Sequence, residues 1–144
     1  SPFRNAVAEA GDGYARAVKL LPPPSRRGLV LMDPPFESPD EFTALAQALA
    51  AALRKFATGI FLAWYPVKSQ AEADAFTGEV LAAGITKALV VDAKIAAPEG
   101  KLGRAALLVI NPPYGFAGAM DEVGKALCGP LDTVVRVQWI TGSE

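Results

Sequence analysis

The sequence predicts an α/β domain with a mostly parallel sheet covered by helices on both faces. Short apolar runs typical of buried strands alternate with helical segments, and right-handed βαβ crossovers join parallel strands in such patterns. The end of the chain differs, because residues 87–93 and 104–110 are separated by about ten residues without a helical pattern, too few for a crossover helix. We therefore expect these two strands to be antiparallel neighbours, which places the antiparallel strands at the carboxyl-terminal edge of the sheet.

The first predicted elements surround a proline-rich break. Residues 5–10 are predicted to form a short strand, followed by a turn at Gly11-Asp12-Gly13, whose residue types favour turns, and a helix over residues 14–21. Prolines at positions 22–24 end this helix, because proline cannot continue it. Residues 29–32, LVLM, form a short continuous apolar run. Such a run is typical of a strand buried on both faces of a parallel sheet.

Two later helices are predicted by capping patterns. Ser38 and Glu41 have the spacing of a capping box, with Pro39 suited to the first helical position, and Ser69 and Glu72 repeat the box. The first of these helices carries an apolar face at helical spacing, formed by Phe42, Leu45, Leu49, Leu53 and Phe56. The second carries Ala73, Phe76 and Val80 and ends at Gly84. Further segments are predicted as a buried strand (59–66), a helix (116–127) and a final alternating strand (132–140).

Composition limits the classes of function that these residues can serve. The chain has 144 residues, of which 51% are hydrophobic, and a formal net charge of −1, which suits one domain without a global nucleic-acid footprint. It contains no histidine, which excludes His-based triads and His metal ligands.

Cys128 is the single cysteine and is predicted to be a small buried residue in a protein of the reducing cytosol. We expect a cytoplasmic protein with no membrane span and no metal. Because the chain opens on Ser rather than Met, we interpret it as a fragment or a processed chain.

The tetrapeptide Asp33-Pro34-Pro35-Phe36 follows the predicted strand at residues 29–32. In open α/β sheets, ligands bind outside the carboxyl ends of the parallel strands. The two prolines remove two N–H donors, so a carboxylate and backbone carbonyls remain as hydrogen-bond acceptors beside an aromatic ring. Such a surface complements an exocyclic NH₂ group on a flat ring. Accepting both amino hydrogens, on Asp33 and the Pro34 carbonyl, directs the nitrogen lone pair at an electrophile, while Phe36 stacks on a base held out of its own stack.

The tetrapeptide DPPF matches the [D/N]-P-P-[Y/F/W] motif of S-adenosylmethionine-dependent amino-methyltransferases that act on adenine N6 and related amines. The wider sequence is more specific. The segments GDGY, LLPPPSRRGLVLMDPPFE, KFATGIFLAWYPV, AAGITKALVVDAKI and LLVINPPY follow in order over essentially all 144 residues. With these segments the chain resembles the bacterial 23S ribosomal RNA adenine-N6 methyltransferases of the J type.

The resemblance implies a Rossmann-like methyltransferase fold, of which residues 1–144 would be the carboxyl-terminal portion of a single catalytic domain, without its amino-terminal strands. It also implies S-adenosylmethionine as methyl donor and an adenosine of 23S rRNA, protein-free or partly assembled, as acceptor. The target amine would lie at Asp33, Pro34, Pro35 and Phe36, and the cofactor at Asp12, Gly13 and Asp33. Position 36 is Phe where the family commonly has Tyr, which keeps the stacking surface and loses a hydroxyl. The glycine-rich turn that cradles the methionine part of the cofactor is missing, so we expect the chain alone to bind cofactor weakly and to be inactive.

Asn111-Pro112-Pro113-Tyr114 satisfies the same motif. Its strand should run antiparallel to the strand before Asp33, so we interpret the second copy as a strand-ending turn on the far side of the sheet. Trp64 and Trp139 are predicted to lie in the core, and Tyr65 or Pro66 could form a wall of the adenine pocket.

Two questions stay open at this stage. Arg26-Arg27, Arg54-Lys55 and Lys94/Lys101/Arg104 are candidates for phosphate contacts, although scattered surface charge explains each group as well. A DNA adenine-N6 methyltransferase and a non-catalytic α/β module that retains the motif remain alternatives to the RNA enzyme. The oligomeric state is not predicted.

Overall fold

The computed structural model describes residues 5–144, which form a five-stranded sheet with four helices. The strands are β1 (Leu29–Met32), β2 (Ile60–Pro66), β3 (Ala88–Ile95), β4 (Arg104–Ile110) and β5 (Thr133–Thr141), and the helices are α1 (Gly13–Leu20), α2 (Glu41–Lys55), α3 (Gln70–Ala82) and α4 (Phe116–Leu131). These bounds confirm most of the predicted elements. The predicted strand at residues 5–10 is wrong, because these exposed residues pair with no strand of the described part.

The sheet has the strand order β1-β2-β4-β3-β5. Only β1 and β2 pair in parallel, whereas the pairs β2–β4, β3–β4 and β3–β5 are antiparallel. The prediction of a mostly parallel sheet is therefore wrong for these residues, and the predicted antiparallel pairing of β3 with β4 is confirmed. The cause is the placement of β4, which reverses direction and inserts between β2 and β3. Strands β1, β2 and β3 still run in one direction, and we call the end where they finish the carboxyl end of the sheet.

Helices cover both faces of the sheet. The larger core lies on the face of α1, α2 and α3, and α4 covers the other face over β3, β4 and β5. The largest fully buried side chains of the main core include Leu45, Leu49, Phe61, Tyr65, Phe76, Leu108 and Ile110. The alternation of side chains along β2 explains this division, because Phe61, Ala63 and Tyr65 point to the larger core and Leu62 to the other face.

Strand β1 is not buried on both faces, contrary to the prediction from its continuous apolar run. Leu29 and Leu31 are 60% and 62% exposed, whereas Met32 is buried against the larger core. Within residues 5–144, β1 is an edge strand. Leu29 and Leu31 project from the same face as α4, but α4 covers that face over β3, β4 and β5 and does not reach β1. An apolar strip therefore lies open beside the end of this strand.

The two predicted capping boxes have different outcomes. Ser69 caps α3 as predicted, with its hydroxyl accepting from the Glu72 N–H at 3.2 Å. The box at Ser38 is wrong, because α2 begins at Glu41 and its N-cap, Asp40, makes no side-chain cap. Glu41 instead accepts a hydrogen bond from the Tyr14 hydroxyl. Cys128, predicted to be buried, is exposed near the end of α4.

Candidate functional site

Asp33 is the first residue after β1, at the carboxyl end of the sheet, as the sequence predicts. A cleft of about 300 Å³ opens at this point, and we call it the DPP cleft. It is lined by Gly13, Tyr14, Ala17, Leu31, Met32, Asp33, Pro34, Pro35 and Glu41. The cleft thus brings residues of the α1 amino terminus together with the residues that link β1 to α2.

The polar surface of the Asp33-Pro34-Pro35 segment is dominated by acceptors. Asp33 and Pro35 are exposed, while Pro34 is buried. Neither proline has an N–H group, so these residues offer the Asp33 carboxylate and backbone carbonyls as hydrogen-bond partners. Apart from the Asp33 N–H, the segment therefore offers acceptors, which suit a ligand that donates hydrogen bonds, as an amine does.

Phe36 has a left-handed backbone conformation, with φ at 52°. This region is unfavourable for a bulky residue, costing on the order of 1–3 kcal/mol, and persists only where neighbouring contacts hold it. The ring is half-buried, with its centroid 4.8 Å from that of Phe42 and 6.1 Å from that of Trp64. Phe36 is not among the residues lining the DPP cleft. Stacking of Phe36 on a bound base therefore stays a prediction, which rests on the position of Phe36 directly after the prolines. The Phe36 ring would use the surface that Phe42 and Trp64 leave free.

The predicted cofactor residues lie at the start of α1. Asp12 is the N-cap of this helix, and its carboxylate accepts a hydrogen bond from the Ala15 N–H at 3.1 Å. Gly13 lines both the DPP cleft and an adjoining depression of about 660 Å³, which Asp12 also lines. The structure therefore brings Gly13 and Asp33 together in one cleft, whereas Asp12 lies in the adjoining depression.

A hydrogen bond between Tyr14 and Glu41 links the two segments that form the DPP cleft. The Tyr14 hydroxyl donates to Glu41 Oε1 at 2.6 Å, and both residues line the cleft. Burial, and then the nearby Glu41 carboxylate, raises the pKa of the Tyr14 phenol, so the phenol stays protonated and remains the donor. This pair was not predicted, because the local spacing assigned Glu41 to a capping box. A Tyr directly after the Gly11-Asp12-Gly13 turn was the only sequence signal.

Tyr65 does not wall the DPP cleft. It is buried between Phe42 and Phe76, with its ring centroid 4.9 Å from that of Phe76. Pro66 is also buried, and Trp64 is half-buried against Phe36. These residues support the segment around Phe36 from the core and do not line the cleft.

The second copy of the motif lies at the opposite end of the sheet. Because β4 runs antiparallel to β2, Asn111 lies beside the amino end of β2. Its side-chain amide donates to the carbonyls of Ala57 and Gly59 at 2.8 and 2.9 Å, and its N–H donates to the Lys87 carbonyl. Asn111 also has a φ of 53°, a conformation that Asn tolerates better than most residues. The interpretation of this copy as a strand-ending turn is confirmed.

Replacing Asn111 by alanine is expected to destabilise the protein. The variant leaves two carbonyls without their donor and places Ala in the left-handed region, so we expect about 1–3 kcal/mol of lost stability. Urea unfolding followed by circular dichroism measures this loss. A loss of less than about 0.5 kcal/mol would contradict the structural role of Asn111.

Residues 5–144 contain no cluster of three or more His, Cys, Asp or Glu that could hold a metal ion. In the same residues, no helix is both long and apolar enough to cross a membrane.

Comparisons with known proteins identify relatives over most of the chain. Residues 1–141 match the family model described as ribosomal RNA large subunit methyltransferase D, RlmJ. The ribosomal RNA large subunit methyltransferase J of Escherichia coli K12 is 35% identical over 120 residues, which are 82% of this chain and 43% of the relative. The enzyme of the same name from Haemophilus influenzae is 31% identical over 147 residues, which are 98% of this chain and 52% of the relative. The chain spans about half the length of these curated relatives.

A solved structure agrees with the fold. The crystal structure of protein LPL1258 from Legionella pneumophila superposes with a TM-score of 0.82 at 28% identity. The match covers 93% of this chain and 51% of that chain. The mixed α/β arrangement described above therefore recurs within a protein about twice as long.

Proposed function

Because the chain belongs to the RlmJ family of large-subunit ribosomal RNA methyltransferases, we propose that it carries the acceptor side of a methyltransferase active site. The full reaction is the transfer of a methyl group from S-adenosylmethionine to the N6 amine of an adenosine in 23S rRNA. The observation that carries this proposal is the DPP cleft, which the acceptor-rich segment at Asp33 lines together with Gly13 at the start of α1.

The chemistry proposed for Asp33 follows from what an aromatic amine needs. Its nitrogen lone pair is delocalised into the ring, so the amine is a poor nucleophile until its hydrogens are held out of the ring plane. The exposed Asp33 carboxylate and the Pro34 carbonyl can accept those two hydrogens, and Pro34 and Pro35 contribute no N–H donor of their own. After transfer, the same carboxylate can accept the proton that the amine releases and pass it to water.

S-adenosylmethionine would supply an activated methyl group, and the residues at the α1 amino terminus fit part of it. A Cβ atom added at Gly13 would meet no atom within 4 Å, so this position leaves room for a flat ring at the mouth of the DPP cleft. Asp12 offers an exposed carboxylate in the adjoining depression, which suits the amino and hydroxyl donors of an adenosine group. We propose Asp12, Gly13 and Asp33 as the cofactor contacts of this chain.

The exposed strip of Leu29 and Leu31 supports the expectation that this chain holds only half of the site. Leu31 lines the DPP cleft and is largely open to solvent, so one wall of the cleft is bare hydrocarbon. The relatives are about twice as long as this chain. We therefore propose the activity for an intact gene product of the relatives' length, and we expect the 144-residue chain alone to bind the cofactor weakly and to be inactive.

Methyl transfer to defined substrates tests the proposal. The intact gene product, incubated with S-adenosylmethionine carrying a labelled methyl group, is expected to label protein-free 23S rRNA transcript and to leave double-stranded DNA unlabelled. Digestion to nucleosides should recover the label as N6-methyladenosine.

The outcomes of this assay separate the alternatives. Label in DNA and not in RNA would favour a DNA adenine methyltransferase, and label in neither would favour a non-catalytic module. The 144-residue chain is assayed beside the intact gene product, so that the cofactor binding and the turnover of the two can be compared. Micromolar binding of S-adenosylmethionine to this chain by calorimetry, or its turnover at the rate of the intact product, would contradict the half-site proposal.

A further inference from the structure

The tertiary structure separates the basic candidates for phosphate contacts into two groups that lie at opposite ends of the sheet. Arg26 and Arg27 precede β1, and Arg54 lies in the last turn of α2, so all three lie at the end opposite Asp33. Lys94 lies near the end of β3, which runs in the same direction as β1, and therefore belongs to the carboxyl end. Only the second group shares an end of the sheet with the DPP cleft.

The hairpin between β3 and β4 presents two of these lysines. Lys94 and Lys101 line one open depression together with Val67, whose N–H donates to the Arg104 carbonyl at 3.0 Å. Lys68 directly follows Val67, so it adds a third ammonium group beside the hairpin. All three lysines are exposed, and none forms an ion pair within residues 5–144.

Arg104 has a different role, although the sequence grouped it with Lys94 and Lys101. Its Nε lies 2.9 and 3.0 Å from the two carboxylate oxygens of Asp92, so its charge is already paired. Glu99 is the only acidic residue between Lys94 and Arg104. The hairpin and Lys68 therefore carry an excess of positive charge, in a chain whose formal net charge is −1.

The distance from the DPP cleft suits an extended substrate. Strands β1 and β3 are separated by β2 and β4, which corresponds to three strand spacings, or about 14–15 Å across the sheet, and Lys94 lies about 13 Å beyond the level of Met32 along β3. If a nucleotide of an RNA strand were held at Asp33, phosphates of neighbouring nucleotides in that strand could reach the lysines. Phosphate contacts of this kind position a nucleic acid without reading its sequence.

We propose that Lys68, Lys94 and Lys101 form a contact surface for RNA phosphates on the acceptor side of the DPP cleft. This inference rests on the proposed function and assigns the part of the chain that holds the polymer beside the target base. Because a near-neutral chain cannot attract RNA through its global charge, binding by these residues should depend on local charge and therefore on salt.

Removing the three lysines tests the surface. In the intact gene product, K68A/K94A/K101A is expected to weaken binding of 23S rRNA transcript, and to raise its KM, by about 10- to 100-fold near physiological salt. We expect kcat at saturating RNA to stay within about twofold. The slope of log Kd against log salt concentration should fall by about 2 to 3, since each lost phosphate contact lowers it by about one.

The matched control removes the same charge from the opposite end of the sheet. R26A/R27A/R54A also changes the net charge by three and should leave the RNA affinity and the salt slope near those of the unmodified protein. Equal weakening by both variants would show a general charge effect and overturn the proposal. Unchanged binding by the lysine variant would overturn it as well, and methylation by the unmodified protein would then still support the proposed function.

Discussion

Replacing Asp33 by alanine in the intact gene product is expected to lower kcat for rRNA methylation by about 10²- to 10³-fold. Losses of this size follow the removal of one preorganised hydrogen-bonding group from an active site. Asp33 is the only carboxylate of the Asp33–Phe36 segment, and alanine leaves the Pro34 carbonyl as a single acceptor for two amine hydrogens. Because Asp33 is exposed, the stability should change by no more than about 0.5 kcal/mol.

The comparison variants make the result specific to this carboxylate. Asp33→Asn keeps one acceptor oxygen and matches the [D/N] position of the motif, so we expect partial activity between the unmodified protein and Asp33→Ala. Asp121→Ala removes an exposed carboxylate from α4 and should retain full activity. Methylation of 23S rRNA by a folded Asp33→Ala protein at the unmodified rate would show that Asp33 does not perform the proposed role.

Replacing Phe76 by alanine is expected to cause the largest loss of stability, about 3–5 kcal/mol. Phe76 is 1% exposed, and its ring centroid lies 4.9 Å from that of Tyr65 and 5.4 Å from that of Phe42. Deleting this ring leaves a cavity that the surrounding β-strand side chains cannot fill without moving. A loss of this size is a large part of the roughly 5–15 kcal/mol that typically stabilises a domain.

The same substitution should also affect the DPP cleft indirectly. Phe42 packs on Phe76 and on Phe36, so loss of Phe76 loosens the contact that holds Phe36 in its left-handed conformation. Urea unfolding followed by circular dichroism measures the stability, with Glu79→Ala on the exposed side of α3 as control, expected within about 0.5 kcal/mol of the unmodified protein. A loss below about 1 kcal/mol for Phe76→Ala would contradict the core assignment.

Several features were predictable because they are encoded in neighbouring residues. The apolar periodicity located the strands and helices, and the Ser69–Glu72 spacing identified the start of α3. The position of Asp33 after a strand followed from the end of the apolar run at Met32. The short connection between β3 and β4 predicted their antiparallel pairing, and with it the location of Asn111 at the far end of the sheet.

Other features were decided by contacts between residues distant in the sequence. Glu41 had the spacing of a capping residue, yet its carboxylate accepts a hydrogen bond from Tyr14, which lies 27 positions away in the sequence. The LVLM run had the pattern of a buried strand, but its position at the sheet edge leaves Leu29 and Leu31 exposed. Neither outcome is visible in a local window, because both depend on which elements become neighbours.

Local residue patterns located the strands and helices and placed Asp33-Pro34-Pro35-Phe36 after a strand end. The tertiary structure decided the strand order, the meeting of Gly13 with Asp33 in one cleft, and the separation of the basic residues between the two ends of the sheet. The physical reason is that side-chain periodicity reports which face of an element is apolar and does not specify its partner. The partner is chosen by packing and backbone pairing over the whole chain, such as the insertion of β4 between β2 and β3.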